Sequence, residues 1–153
     1  MKKFFKKNPV VSIIVVVLVA ALGVGLVSNL SGKLVTPLSY VAGDLDASGA
    51  HAVASDSIFT EKAIDCTGLT VTPAAKFDGT YRVVFYDKDG KYVGSTGEMD
   101  KEFTVAAEDI AEGAKYGGAT TCRIVITPND ADGIITAAEQ LAYAALIQTS
   151  YSK

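Results

Sequence analysis

The chain has 153 residues, with 14 basic and 17 acidic side chains, a net charge of −3 and 49% hydrophobic residues. Residues 34–153 alone carry 9 basic and 17 acidic groups, a net charge of −8, which repels phosphate backbones and excludes a nucleic-acid partner. One histidine, two cysteines without a CxxC or Cys–His spacing, and no Gly-rich loop followed by Lys-Ser/Thr leave neither a zinc motif nor a phosphate loop, so no cofactor and no metal are expected.

Residues 10–27 (VVSIIVVVLVAALGVGLV) carry no charge, and Lys2, Lys3, Lys6 and Lys7 stand just ahead of them. About 20 apolar residues in a helix cross a hydrocarbon core of about 30 Å. The lysines then stay cytoplasmic and the rest of the chain is exported. The competing reading is a cleaved signal peptide, whose apolar region is shorter and ends on a small-x-small pair. Here the run is longer, and the exit LVSNLSG offers no such pair. The expected layout is a cytoplasmic basic tail over 1–9, a transmembrane helix over 10–30 with the lipid bilayer as its partner, a linker over 31–36 and an extracytoplasmic domain over 37–153. The expected location is a cell membrane, single-pass, with the N-terminus inside.

Residues 34–42 read as an extended lead-in or edge strand, and 43–49 (GDLDASG) as a turn cluster. A strand is expected near 57–60, one helical turn over 61–65, and a short strand over 69–72 ended by Pro73. Residues 80–86 (TYRVVFY) form the strongest strand, with Tyr81, Val83 and Phe85 on one face and Arg82, Val84 and Tyr86 on the other. Asp87-Lys88-Asp89-Gly90 turns the chain into a hairpin partner over 91–96. A further strand is expected over 102–106. Residues 120–127 (TTCRIVIT) form the second strong strand, with Cys122, Ile124 and Ile126 facing one way. Residues 136–148 suit a short helix with Thr136 as N-cap and Glu139 completing a capping box, though the tail from Ile147 also reads as a closing strand. The fold class is mainly all-β, an antiparallel β-sandwich with a short helix near the C-terminus.

Cys66 and Cys122 both fall in the exported body. Their spacing alone leaves a disulfide and two buried thiols equally open; the oxidising location favours the disulfide. Several constellations bear on chemistry. Against an EF-hand loop, PNDADGIITAAE places Asp130, Asp132 and Glu139 at ligand positions, but Pro128 stands where the first ligand belongs and a strand leads in. The bland alternative is an acidic turn capping a helix. Asp44-Leu45-Asp46-Ala47-Ser48-Gly49 is a similar run without a closing carboxylate. His51 has no nucleophile elbow to serve and reads as an exposed loop histidine. Tyr81, Tyr86, Tyr92 and Tyr116 offer a candidate stacking surface for sugars, weaker for the absence of any Trp.

The hairpin FYDKDGKYVGS followed by the strand CRIVITP resembles jelly-roll, galactose-binding-like β-sandwich modules. With the basic start, the apolar segment and SIFTEK with Cys66 soon after, the layout resembles small uncharacterised single-pass membrane-anchored proteins of Gram-positive gut bacteria. That resemblance implies a jelly-roll ectodomain and an envelope location, and it brings no catalytic motif. The functional expectation is an interaction or structural protein of the cell envelope without catalytic activity, contacting another envelope protein or a glycan. The alternative is a surface carbohydrate-binding module.

Overall fold

The computed structural model describes residues 38–152; the expected tail, membrane segment and linker lie outside the described residues. Among the described residues no helix is long and apolar enough to cross a membrane. In chain order the strands are β1 (Tyr40–Ala42), β2 (Asp44–Leu45), β3 (His51–Ala52), β4 (Ile58–Thr60), β5 (Ile64–Asp65), β6 (Leu69–Pro73), β7 (Gly79–Tyr86), β8 (Tyr92–Ser95) and β9 (Phe103–Thr104). Helix α1 (Ala107–Ile110), strand β10 (Thr121–Pro128), helix α2 (Ala137–Ala144) and strand β11 (Ile147–Tyr151) follow.

All pairings are antiparallel. The frame is the β7–β10 ladder, in register over eight pairs from Tyr86 opposite Thr121 to Gly79 opposite Pro128. Pro128 has no N–H to donate and sits at the strand end, where none is needed. Around this pair the large sheet runs β1-β4-β10-β7-β8, with β5 pairing the start of β10. A second sheet runs β11-β6-β9, and β2-β3 form a small separate hairpin.

Alternation along the ladder decides where the cores lie. Tyr81, Val83 and Phe85 of β7 and Cys122, Ile124 and Ile126 of β10 point inward. They pack against Leu69 and Val71 of β6 and Ile147 of β11, which makes the arrangement sandwich-like. Tyr81 donates its hydroxyl to the carbonyl of Lys101 at 2.6 Å, so this core tyrosine leaves no stranded polar group. The opposite face of the large sheet carries a smaller cluster: Leu45, Phe59, Val84, Tyr86 and Val125. Leu45 reaches it from the β2–β3 hairpin, which folds back over the sheet.

Several expectations needed correction. Residues 61–65 do not make a helical turn: Ile64 and Asp65 pair with Cys122 and Thr121, because β10 is longer than β4 and leaves its first residues open to a second partner. The 43–49 cluster is more than a turn, since Asp44 and Leu45 pair with Ala52 and His51. Of residues 102–106 only Phe103 and Thr104 are strand, and the chain turns into α1 after Ala106. Residues 136–148 divide: α2 ends at Ala144, and Ile147–Tyr151 pairs along the whole of β6 as the closing strand. The capping box is formed, with the Glu139 N–H bound to Thr136 Oγ1 and the Thr136 N–H bound to Glu139 Oε2 at 2.7 Å.

Candidate functional site

The outer face of the large sheet is where unlike side chains converge. In β4, β7 and β10 the residues that alternate away from the main core are Phe59, then Arg82, Val84 and Tyr86, then Arg123 and Val125. Phe59 is buried and forms the base. The His51 ring lies against it at 5.2 Å between centroids with a 46° tilt. The Arg123 guanidinium stands over the same ring, 5.7 Å from its centre, within cation–π range.

Beside this group lies a cleft of about 300 Å³, lined by Gly49, His51, Ala63, Tyr86, Thr121 and Arg123 among others. The β2–β3 hairpin makes one wall and is fastened twice. Arg82 binds the Asp44 carboxylate and the Leu45 carbonyl. Tyr86 donates its hydroxyl to the Gly49 carbonyl at 2.6 Å. Burial pushes the Tyr86 hydroxyl pKa up, with the positive charges of Arg123 and Arg82 opposing the rise. At the hairpin tip Asp46 accepts from the Ser48 hydroxyl and from the Ser48 and Ala50 N–H groups. Those bonds, the Ser48 hydroxyl foremost, hold its pKa below the usual carboxylate range.

The other residues singled out from sequence are dispersed. Among the described residues no three His, Cys, Asp or Glu side chains are grouped to hold a metal ion. Glu139 is engaged by Thr136, and Asp130 accepts from the Tyr143 hydroxyl at 3.0 Å. Asp44 and Asp46 serve the hairpin, and Asp87 accepts from the N–H groups of Asp89 and Lys91 within its own turn. The four tyrosines do not make one stacking surface. Tyr81 and Tyr116 are 1% and 4% exposed in the main core, Tyr116 stacked on Phe85 at 4.2 Å, while Tyr86 and Tyr92 belong to the outer face.

Cys66 and Cys122 are both fully buried free thiols. Cys122 lies opposite Ile64, and the Cys66 N–H binds the Thr120 carbonyl at 3.2 Å, so the two cysteines are diagonal neighbours on one face of the β5–β10 pairing. Burial raises both thiol pKa values, and for Cys122 the nearness of Cys66 adds to the rise. Burial thus keeps both thiols protonated in the closed fold, and exchange at either sulfur needs an opening that exposes it.

Arg123 and Thr121 were not singled out from sequence. The available signal was the outward alternation of 121 and 123 in a strong strand, together with the fact that Arg82 and Arg123 are the chain's only arginines. No protein-family model matches the chain, and neither the curated proteins nor the solved structures contain a significant match to it.

Proposed function

We propose that the chain is a membrane-anchored, extracytoplasmic interaction protein of the cell envelope without catalytic activity. In this reading residues 10–30 span the bilayer, the N-terminal lysines stay cytoplasmic, and the sandwich is a jelly-roll module displayed outside. The non-sequential neighbours β4-β10-β7 of the large sheet support the jelly-roll connection.

The observation that carries the reading is the outer-face cleft. Its polar groups are arranged for contact: His51 and Arg123 both stand against the Phe59 ring, and the Tyr86 hydroxyl is spent on the Gly49 carbonyl. Asp46, whose charge acts on Tyr86, is spent on its own turn. A concave, mostly neutral floor with one unpaired cationic group suits recognition.

The cysteine pair belongs to the same proposal. In an oxidising compartment the two thiols lose two protons and two electrons to an oxidised thiol–disulfide exchange partner and form one S–S bond. Diagonal strand neighbours have Cβ atoms somewhat under about 7–8 Å apart. A disulfide needs about 3.5–4.5 Å, so closing the bond requires the segment just after β5 to draw closer to β10.

Site-specific photo-crosslinking in intact cells tests the interaction surface. A crosslinker replacing Arg123 is expected to trap a discrete envelope component. The same group at the exposed Glu108 of α1, on the main-core side of the large sheet, is expected not to. Equal capture from both positions overturns the outer face as the contact surface.

A further inference from the structure

The chain's two arginines occupy neighbouring positions on one sheet face, where Arg82 opposes Val125 and Arg123 opposes Val84. Their situations differ. Arg82 is neutralised by Asp44. Arg123, among the described residues, has neither an ion-pair partner nor a hydrogen-bond acceptor, and its side chain lines the cleft. The cation–π contact with Phe59 restrains the Arg123 side chain, so less rotamer entropy is lost when its forked donors meet an acceptor.

Charge and shape narrow what fits. A guanidinium fork matches a planar carboxylate with two parallel N–H···O bonds. One unpaired cation balances one negative charge. Asp46 stands near Tyr86 in the cleft wall, in a body of net charge −8, and opposes a doubly charged phosphate. The cleft's volume of about 300 Å³ sits at the small end of ligand sites. Its Ala63 and Tyr86 lining suits a short, partly apolar body behind the charged end.

We propose that this cleft binds the carboxylate of a small monoanionic group, held by Arg123 with His51 and Thr121 beside it. The proposal rests on the outer face being the contact surface and names what that surface recognises. Two sources present such a group: a peptide-type carboxylate and an acidic sugar.

The test is an NMR titration of the full chain in detergent micelles with N-acetylglycine, glucuronate, the neutral N-acetylglycinamide and inorganic phosphate. Saturable shifts are expected at the amides of Gly49, His51 and Thr121 with a carboxylate, in the millimolar range. The amide and phosphate are expected to bind at least about tenfold more weakly, the factor that loss of one charge-assisted hydrogen bond brings. Tighter binding of N-acetylglycine assigns the peptide source, and tighter binding of glucuronate the sugar. Arg123→Gln is expected to weaken carboxylate binding by a similar factor. If that variant disturbs amides outside the cleft, Arg123→Lys replaces it, keeping the charge, losing the fork and weakening binding less. Absence of saturable shifts, or equal affinity for N-acetylglycinamide, overturns the carboxylate assignment. Because the crosslink replaces Arg123 itself, a captured component beside a null titration removes only the carboxylate, while equal capture from Glu108 removes the surface.

Discussion

Tyr40 carries a hydroxyl that is buried and, among the described residues, makes no hydrogen bond. Burial drives its pKa upward, the neighbouring Cys122 adding to the rise. An unsatisfied buried hydroxyl costs about 1–3 kcal/mol, while the ring beneath it still contributes packing. Tyr40→Phe is therefore expected to raise stability by about 1 kcal/mol in urea denaturation of the full chain; a loss of stability contradicts the orphaned state of the hydroxyl. Gly49 is the opposite case, a residue that admits no addition. Its φ is +74°, and a Cβ there would lie 2.8 Å from Tyr86 Cε1 and 2.9 Å from Tyr92 Cδ2, both ring atoms held by the outer cluster. Gly49→Ala is expected to cost about 1–3 kcal/mol through combined strain and clash and to break the hydroxyl bond from Tyr86. An unchanged denaturation midpoint contradicts that account.

At the scale of elements, the β2–β3 hairpin is the least self-sufficient piece, with two residues in each strand. It keeps its shape through Asp46 and its place through Asp44 and Tyr86. Hydrogen bonds depress the Asp46 pKa in the fold, so its contribution is complete above the ordinary carboxylate value of about 4. It is lost as pH falls through the lower folded value. Asp87 and Glu139 are depressed in the same direction, by the Lys91 N–H and by the Thr136 hydroxyl respectively. The melting temperature is thus expected to hold from neutral pH down to about 4 and to fall below it. Asp46→Ala should be less stable at neutral pH and show a shallower acid slope; a variant with the wild-type slope contradicts the assignment.

The same elements show what was legible in the chain. The strands around 80–86 and 120–127 declared their inward faces, because eight residues of period-two alternation are long enough to read. The capping box at Thr136 and Glu139 was equally plain, being a local pattern. Strands β2, β3 and β5 were not, since two residues carry no period; β2 and β3 pair only with each other, and β5 takes the part of β10 that β4 leaves open. The cleft escaped for a related reason. His51 and Arg123 are far apart in sequence and meet only because Phe59 offers one ring to both.

For the whole molecule, two features of the chain should act together. If the body is exported, Cys66 and Cys122 are oxidised there, closing a long loop worth about 4 kcal/mol in the chain-entropy model. Chain taken from cells without reductant should then resist thiol alkylation after denaturation and accept it after reduction. Alkylation of both cysteines without reduction contradicts the disulfide. In the proposed function the lysines, the apolar stretch of residues 10–27 and the acidic body take one arrangement across a bilayer. Protease added to intact cells producing the chain with an N-terminal tag tests that arrangement most directly. The account predicts that the body is digested while a tagged fragment of the first few tens of residues survives in the membrane fraction. A tagged chain that stays full-length until the cells are lysed, or a tag already severed from the body before protease is added, contradicts it.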